Sequence, residues 1–497
     1  MAGLKSLAKD TVIYGVSSIA GRFLNYLLVP LYTAKFTAES GGYGVVTHVY
    51  AIIAFLLILL VYGMETGFFR FANKEGEDEQ TVYSTILLSV GSTSLLFVAL
   101  CFIFLPSISS FLGYAGNPEF MGIMAIVVAL DAFQCIPFAY LRHKKRPVKF
   151  AAVKLFFIVS NILLNLFFLV VCPWLNRYCP ETISWFYNPA YGVGYVFIAN
   201  LICTSLQMLC FIPELRGFRY RYDAKLMRRI WKYSFPVLIL GLVGILNQTV
   251  DKIIFPFLFS DPNEAKIQLG IYGAAAKIAM IMAMFTQAFR YAYEPFVFGK
   301  NKEGDNRPVY ASAMKFFIIF ALLAFLVVMF YLDILRYIIR NPDYWPGLKV
   351  VPVVMVAEIF MGVYFNLSFW YKLIDQTRWG AYFSLIGCVL IVMLNVVFVP
   401  KYGYMACAYA GLVGYAVITV LSYFVGQRKY PVKYDLKSIG IYILLAAGLY
   451  AVAESVVLEN MVIRLLFRTL LLLVFVLYIT KKDLIPSFRK ERTRKAG

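Results

Sequence analysis

Apolar runs of about 20 residues recur along the whole chain, each closed by charged or turn-forming residues, and that length carries a helix across a bilayer. The first predicted span covers about 11–34, behind Lys5 and Lys9. Others follow at about 43–69, 82–105, 120–141, 150–171 and 191–212. Past a basic stretch come about 233–257, 270–297, 310–332, 350–371, 379–399, 405–425, 439–453 and 461–480. The pattern thus predicts an all-α polytopic membrane protein with about fourteen transmembrane helices. The runs do not alternate, which argues against a β-barrel. Arg22 and Asn25 interrupt the first run and no A-x-A site follows, so it reads as a mature helix rather than a signal peptide.

The spans repeat. Tyr43-Gly44 matches Tyr272-Gly273, His48 matches Lys277, Glu65 matches Glu294, and Asn73-Lys74-Glu75-Gly76 matches Asn301-Lys302-Glu303-Gly304, all at an offset of roughly 229 residues. Asn165 pairs with Asn395, and Pro189-x-Tyr191-Gly192 with Pro400-x-Tyr402-Gly403. Two copies with an even number of spans each have the same orientation, as parallel repeats about an axis along the membrane normal. The expected organisation is an N-terminal six-helix lobe at 1–213, a basic linker at 214–232, a C-terminal six-helix lobe at 233–427, and a last helix pair with a basic tail at 428–497.

Composition narrows the reading. Hydrophobic residues make up 61% of the 497 and charged residues 15%, too little charge for a soluble chain of this length. The formal net charge is +20, yet nucleic acid is not implied, because cytoplasmic loops collect Lys and Arg as a topology signal. The cations of 142–149, of 214–232, of 428–437 and of the tail fall on one side if the helices alternate. Both termini are therefore expected in the cytoplasm, with the Arg336/Arg340 loop the poorest fit. Most cysteines lie inside spans as small core residues; Cys172 and Cys179 flank an outer loop and could form a disulfide. His48 and His143 are the only histidines, and there is no Walker A pattern, paired-carboxylate motif or metal-ligand spacing. The expectation is a non-enzyme with no cofactor and no metal; a coupling ion, H+ or Na+, stays open.

The polar residues inside spans carry the candidate chemistry, because each ionisable group costs about 2.5–3.5 kcal/mol in hydrocarbon and must face protein or water. Arg22 lies near the midplane of the first span and shares a face with Ser18 and Asn25. Lys154, Asn161 and Asn165 form one stripe on the fifth span; interhelical hydrogen bonding would explain the asparagines, and Lys154 could snorkel. Asn247 and Asp251 share a face of the seventh span beside Lys252, and Asp251 stands where the repeat places Arg22, which suggests a pair. Gln287, Arg290 and Glu294 share a face of the eighth span below Lys277; Arg290 and Glu294 could be a simple i, i+4 ion pair. Asp131 and Glu358 sit deep in the fourth and tenth spans, as counter-ions or coupling groups. The expected cavity cations are thus Arg22, His48, Lys277, Arg290 and Lys252; the counter-ion or coupling acids are Asp251, Asp131 and Glu358; the polar lining is Asn25, Asn161, Asn165 and Asn247. More basic than acidic groups at depth suits an anionic substrate.

With Tyr43-Gly44, Leu246-Asn247-Gln248-Thr249-Val250-Asp251-Lys252 and Gly270-Ile271-Tyr272-Gly273-Ala274-Ala275-Ala276-Lys277 in this order, and a six-plus-six-plus-two layout, the chain resembles the Wzx-like polysaccharide-biosynthesis flippases of the multidrug/oligosaccharidyl-lipid/polysaccharide (MOP) exporter superfamily, related to lipid II flippases. The resemblance implies transfer of an undecaprenyl-pyrophosphate-linked oligosaccharide, an O-antigen or capsule repeat unit, across the bacterial inner membrane by rocking of two lobes. Implied partners are that lipid-linked substrate, membrane lipids and the glycan polymerase or assembly machinery, with no nucleic acid and a monomeric carrier. Basic residues on helices 1, 2 and 8 line the cavity of similar lipid II flippases; Arg22 and Lys277 match in kind, and His48 departs. The alternatives are a drug/cation exporter of the same superfamily and an integral membrane glycosyltransferase or polymerase. The last pair of spans and the basic bias argue against the first, the lack of a long outer loop against the second.

Overall fold

The computed structural model describes residues 26–217, 220–300, 307–374 and 376–486, with the side chains of 291–300 and 484 outside the description. Among the described residues the structure is helical, and twelve helices are long and apolar enough to cross a membrane. Gly194–Leu209 is a shorter apolar helix where the sixth span was expected, and most of the first expected span lies outside the described residues. The chain is a multi-pass integral membrane protein.

Helix starts follow local chemistry. Asp78, Asp223 and Asp435 accept backbone N–H groups at the starts of Glu79–Ile103, Ala224–Ile254 and Leu436–Ser455. The Thr81 and Ser438 hydroxyls, with these backbone bonds, hold the Asp78 and Asp435 carboxyls below the usual carboxylate range, and the Leu226 and Lys225 N–H groups do the same for Asp223. Pro118, Pro147 and Pro262 stand in the first turn of their helices, where the missing N–H is no loss.

The chain divides into two compact units. One comprises 1–274, 341–344 and 391–404; the other 275–340, 345–390 and 405–497. The first contains α1 (Leu28–Lys35), α2 (Gly42–Val61), α3 (Met64–Ala72), α4 (Glu79–Ile103), α5 (Pro118–His143), α6 (Pro147–Leu166), α7 (Gly194–Leu209), α8 (Ala224–Ile254) and the start of α9 (Pro262–Lys300). Its core gathers Phe68, Tyr83, Ile86, Val127 and Val128, all fully buried.

The span expected as one helix over 43–69 is broken. Tyr62 and Gly63 both take left-handed conformations, with φ of 35° and 72°. Such a φ costs a non-glycine residue roughly 1–2 kcal/mol. A Cβ on Gly63 would stand 2.7 Å from the Ser234 carbonyl oxygen of α8, so the break is the place where α8 meets the backbone. The first Tyr-Gly pair also has a packing reason. A Cβ on Gly44 would overlap the Lys266 carbonyl, and one on Gly270 would stand 3.0 Å from the Gly44 nitrogen. Here α2 and α9 touch backbone to backbone, the close approach that small residues permit in membranes. Tyr43 is buried with its ring edge-on to Tyr344, whose hydroxyl donates to the Phe36 carbonyl at 2.8 Å.

The second unit contains α10 (Arg307–Phe330), α11 (Val351–Leu367), α13 (Tyr404–Lys429), α14 (Leu436–Ser455), α15 (Met461–Ile479) and part of α12 (Arg378–Tyr402). Its last two helices are fastened by ion clusters near both ends of α10. At one end Lys315 contacts Asp483 at 2.5 Å and Asp435 at 3.4 Å, and the Tyr442 hydroxyl donates to Asp483. At the other, Asp333 receives Arg464 at 2.8 Å and Arg468 at 3.0 Å, while Arg468 reaches Glu454 at 3.5 Å. Removing one member of a buried pair costs about 3–5 kcal/mol, whereas removing both often costs little. Lys315→Met should therefore lower the melting temperature of purified protein sharply, and Lys315→Met/Asp483→Leu should recover most of the loss. A single variant as stable as the parent would show that this cluster fastens nothing.

Candidate functional site

The first unit holds a polar cluster inside its apolar bundle. α5 presents Asp131, Gln134, Cys135 and Arg142, and α7 presents Asn200 and Thr204. Arg142 pairs with Glu65 of α3, and the Cys135 thiol donates to the other oxygen of that carboxylate at 3.0 Å. Thr204 lies 3.5 Å from Asp131 and 3.5 Å from the Asn200 amide oxygen, while Asn200 donates to the Tyr50 hydroxyl at 2.9 Å. Gln134 donates to the Thr204 carbonyl at 3.0 Å. Lys154 of α6 rests over the Phe138 ring at 4.1 Å, within electrostatic reach of Asp131 and Glu65. An acid, a lysine and an acid–arginine pair are thus gathered in one cluster of α3, α5, α6 and α7, with Asp131 and Lys154 at its less exposed end, where interactions are stronger than in water. Such a cluster can exchange a proton.

Within this cluster only Asp131 and Lys154 were legible as interior groups. Glu65 was visible as a repeat landmark, and Arg142 as a loop cation. Their meeting required α3 and α5 to be packed side by side. The asparagines of α6 act as hydrogen-bond links. Asn165 donates to the Asn161 carbonyl at 2.8 Å and accepts from the Tyr32 hydroxyl at 3.0 Å. Its repeat mate Asn395 makes the same bond, to Ile391 at 2.8 Å.

A second group in this unit bears on His48 and Asp251. His48 was expected to line a cavity as a cation. It is 1% exposed, with Nδ1 2.8 Å from the Tyr114 hydroxyl, Nε2 3.2 Å from the Ile253 carbonyl, and its ring stacked on Tyr114. A ring engaged at both nitrogens and sealed by aromatics is a packing residue, because no face is left for a substrate. Asp251 was expected to pair with Arg22, which lies outside the described residues. Among the described residues Asp251 meets Lys252 at 3.0 Å and accepts a hydrogen bond from the Tyr272 hydroxyl at 2.8 Å. Asn247 is buried and donates to the Val243 carbonyl at 2.8 Å. Arg22 and Asn25 lie outside the described residues.

In the second unit, Lys277, Arg290 and Glu358 are half-buried. Arg290 lies over the Phe365 ring at 5.1 Å. The Glu294 side chain, its expected i, i+4 partner, is outside the description. Cys172 is buried and Cys179 exposed, and both are free thiols.

A family model described as polysaccharide biosynthesis protein matches residues 7–292, more than half of the chain. The chain belongs to that family. A second model, MatE, matches residues 240–397. A protein of Haemophilus influenzae described as an uncharacterized membrane protein is 20% identical over 306 residues, 60% of this chain and 67% of its own length. Among solved structures, the lipid II flippase MurJ in an inward closed conformation superposes with a TM-score of 0.75 at 18% identity, covering 95% of this chain and 100% of its own. An inward-facing multidrug resistance MATE family transporter of the MOP superfamily superposes with a TM-score of 0.61 at 14% identity, covering 84% of this chain and 94% of its own. The fold is thus shared with a lipid II flippase and a MATE transporter, as the resemblance implied.

Proposed function

We propose that the chain is a flippase that carries an undecaprenyl-pyrophosphate-linked oligosaccharide from the cytoplasmic to the outer leaflet of a bacterial inner membrane. The observation that carries this reading is the polysaccharide-biosynthesis match over 7–292 on a chain with the fold of a lipid II flippase. Half-buried Lys277 and Arg290 inside the eighth span, together with Arg22 on the first, supply positive charge for a pyrophosphate. Two six-helix lobes, 1–213 and 233–427, would rock about the 214–232 linker in alternating access. Deleting the gene should leave completed lipid-linked units in the inner leaflet; incomplete units would point to a glycosyltransferase. The MatE match over 240–397 favours one second reading, a drug/cation exporter. That reading requires unchanged polysaccharide and raised drug sensitivity in the same strain.

The orientation proposed has both termini and the linker in the cytoplasm. A single cysteine at Lys225, on a cysteine-free background, should resist a membrane-impermeant thiol reagent in intact cells and react after permeabilisation. Labelling in intact cells would invert the topology.

The polar cluster around Asp131 is the proposed seat of a coupling ion, H+ or Na+. Asp131→Asn keeps the shape and the contact with Thr204 but removes the titrating charge. It should slow transport by about 5–150-fold, the range of a typical coupling free energy, and flatten its dependence on pH or Na+. Transport with the parent's rate and ion dependence would make Asp131 a structural residue.

A further inference from the structure

The break at Tyr62-Gly63 opens onto a cavity that the transport reading does not use. Its volume is about 750 Å3, within the roughly 300–1,000 Å3 of small-molecule sites. It lies between the end of α2, the first half of α4 and the first turns of α8. Leu59, Leu60, Leu88 and Leu238 line its apolar part. Ser89, Ser92, Thr93 and the Tyr222 hydroxyl add polar groups. Tyr62 and Trp231 meet edge to face at 5.5 Å, and Thr93 lies 3.4 Å from the Tyr62 hydroxyl. These contacts hold Tyr62 in its unfavourable conformation, so the break is built rather than incidental.

The position of the cavity along α8 says what fits it. Asp223 caps that helix ten residues before the predicted 233–257 span, Met227 and Trp231 line the cavity within that stretch, and Leu238 lines it inside the span. The cavity therefore spans the boundary between headgroups and acyl chains, the level at which Trp and Tyr settle. Arg221, Lys225, Arg228 and Lys232, on the same stretch of chain as the lining residues Tyr222, Met227 and Trp231, are exposed, and Arg229 is paired with Glu77 at 2.5 Å. Trp231 and Tyr222 are themselves exposed. An apolar cavity with hydroxyl-bearing lining residues on a basic stretch of chain matches an amphiphile with an anionic head.

We propose that this cavity is a binding site for an anionic phospholipid of the leaflet that faces the basic linker, with an acyl chain beside the Tyr62-Gly63 break and the headgroup at Tyr222, Lys225 and Arg228. The site shares no residue with the cations proposed for the pyrophosphate, and its occupant is a bilayer lipid rather than the cargo.

The test uses the full-length protein in phosphatidylcholine nanodiscs doped with phosphatidylglycerol that carries a diazirine on its acyl chain. After irradiation, peptides covering 59–62, 88–93 and 222–231 should be labelled well above the lipid-facing 95–103 stretch, and above labelling by the matching phosphatidylcholine probe. Ser92→Trp, a substitution at an exposed position that fills the cavity, should cut that labelling about tenfold. Lys225→Gln and Arg228→Gln should each weaken the preference for phosphatidylglycerol about fivefold while leaving the cavity intact. Labelling spread evenly over lipid-facing helices, or equal labelling by the two lipids, would overturn the site. Displacement of the label by added undecaprenyl pyrophosphate would overturn the choice of occupant and assign the cavity to the cargo. None of these readings depends on transport.

Discussion

Gly44→Ala should leave little folded protein in the membrane. The added methyl would overlap the Lys266 carbonyl, and both atoms belong to backbone. No rotamer change relieves that collision, so α2 and α9 must move apart and lose the contact between Gly44 and Gly270. Overpacking usually costs about 1–3 kcal/mol, and a backbone collision at a helix crossing belongs at or above the top of that range. Gly273→Ala provides the comparison. Its methyl would meet the Thr47 side chain, which can turn, so a loss of about 1 kcal/mol is expected. Yield and melting temperature by size-exclusion fluorescence should rank parent, Gly273→Ala and Gly44→Ala in that order. Equal stability of the two variants would show that the helices do not cross at Gly44.

Arg22→Ala should abolish nearly all flipping, and Lys277→Ala should reduce it strongly. Arg binds phosphate oxygens with a planar fork, while Lys offers a point charge, so Arg22→Lys should retain partial activity. The attraction is greater where water is scarce, with an effective dielectric nearer about 20 than 4. Two or three such cations suit a carrier better than a closed cage, because the substrate must leave on the far side. The rival account makes Arg22 a structural partner of Asp251, in which case removing both avoids a buried unpaired charge. Asp251 already has Lys252 at 3.0 Å and the Tyr272 hydroxyl at 2.8 Å. Arg22→Ala/Asp251→Ala should consequently stay inactive at normal protein levels. Full activity of the double variant, measured by lipid-linked substrate reaching the outer leaflet, would remove the substrate-binding role.

The fastening of α14 and α15 bears on the role of this last pair. Charged clusters at both ends of α10 tie them to the second unit, through Lys315 and Asp333. Arg464 and Arg468 lie in an apolar segment and would be expensive there without these acids. The sequence contains both basic residues, but nothing in their spacing points to an acid about 130 positions earlier. Arg142 shows the same limit. As a residue in a run of loop cations it reads as topology signal, and in the structure it closes a pair with Glu65.

The hydrophobic pattern by itself determined the class of this protein, because a bilayer requires long apolar helices with their backbone bonds satisfied internally. Local sequence also set several helix starts, through Asp and Asn caps and first-turn prolines, and Tyr-Gly pairs and matching asparagines at a fixed offset suggested a duplication. Those features are local or repeat at a fixed offset, so one dimension carries them. Only tertiary structure decided which polar groups meet. It sealed His48 against Tyr114 and Ile253, matched Lys252 to Asp251, and brought Glu65, Cys135 and Arg142 together. It also decided that the second span breaks at Tyr62-Gly63, since the reason for the break is the α8 backbone at Ser234. Contacts of this kind depend on which helix faces lie side by side, and hydropathy is blind to that: it records how apolar a face is, not what it faces.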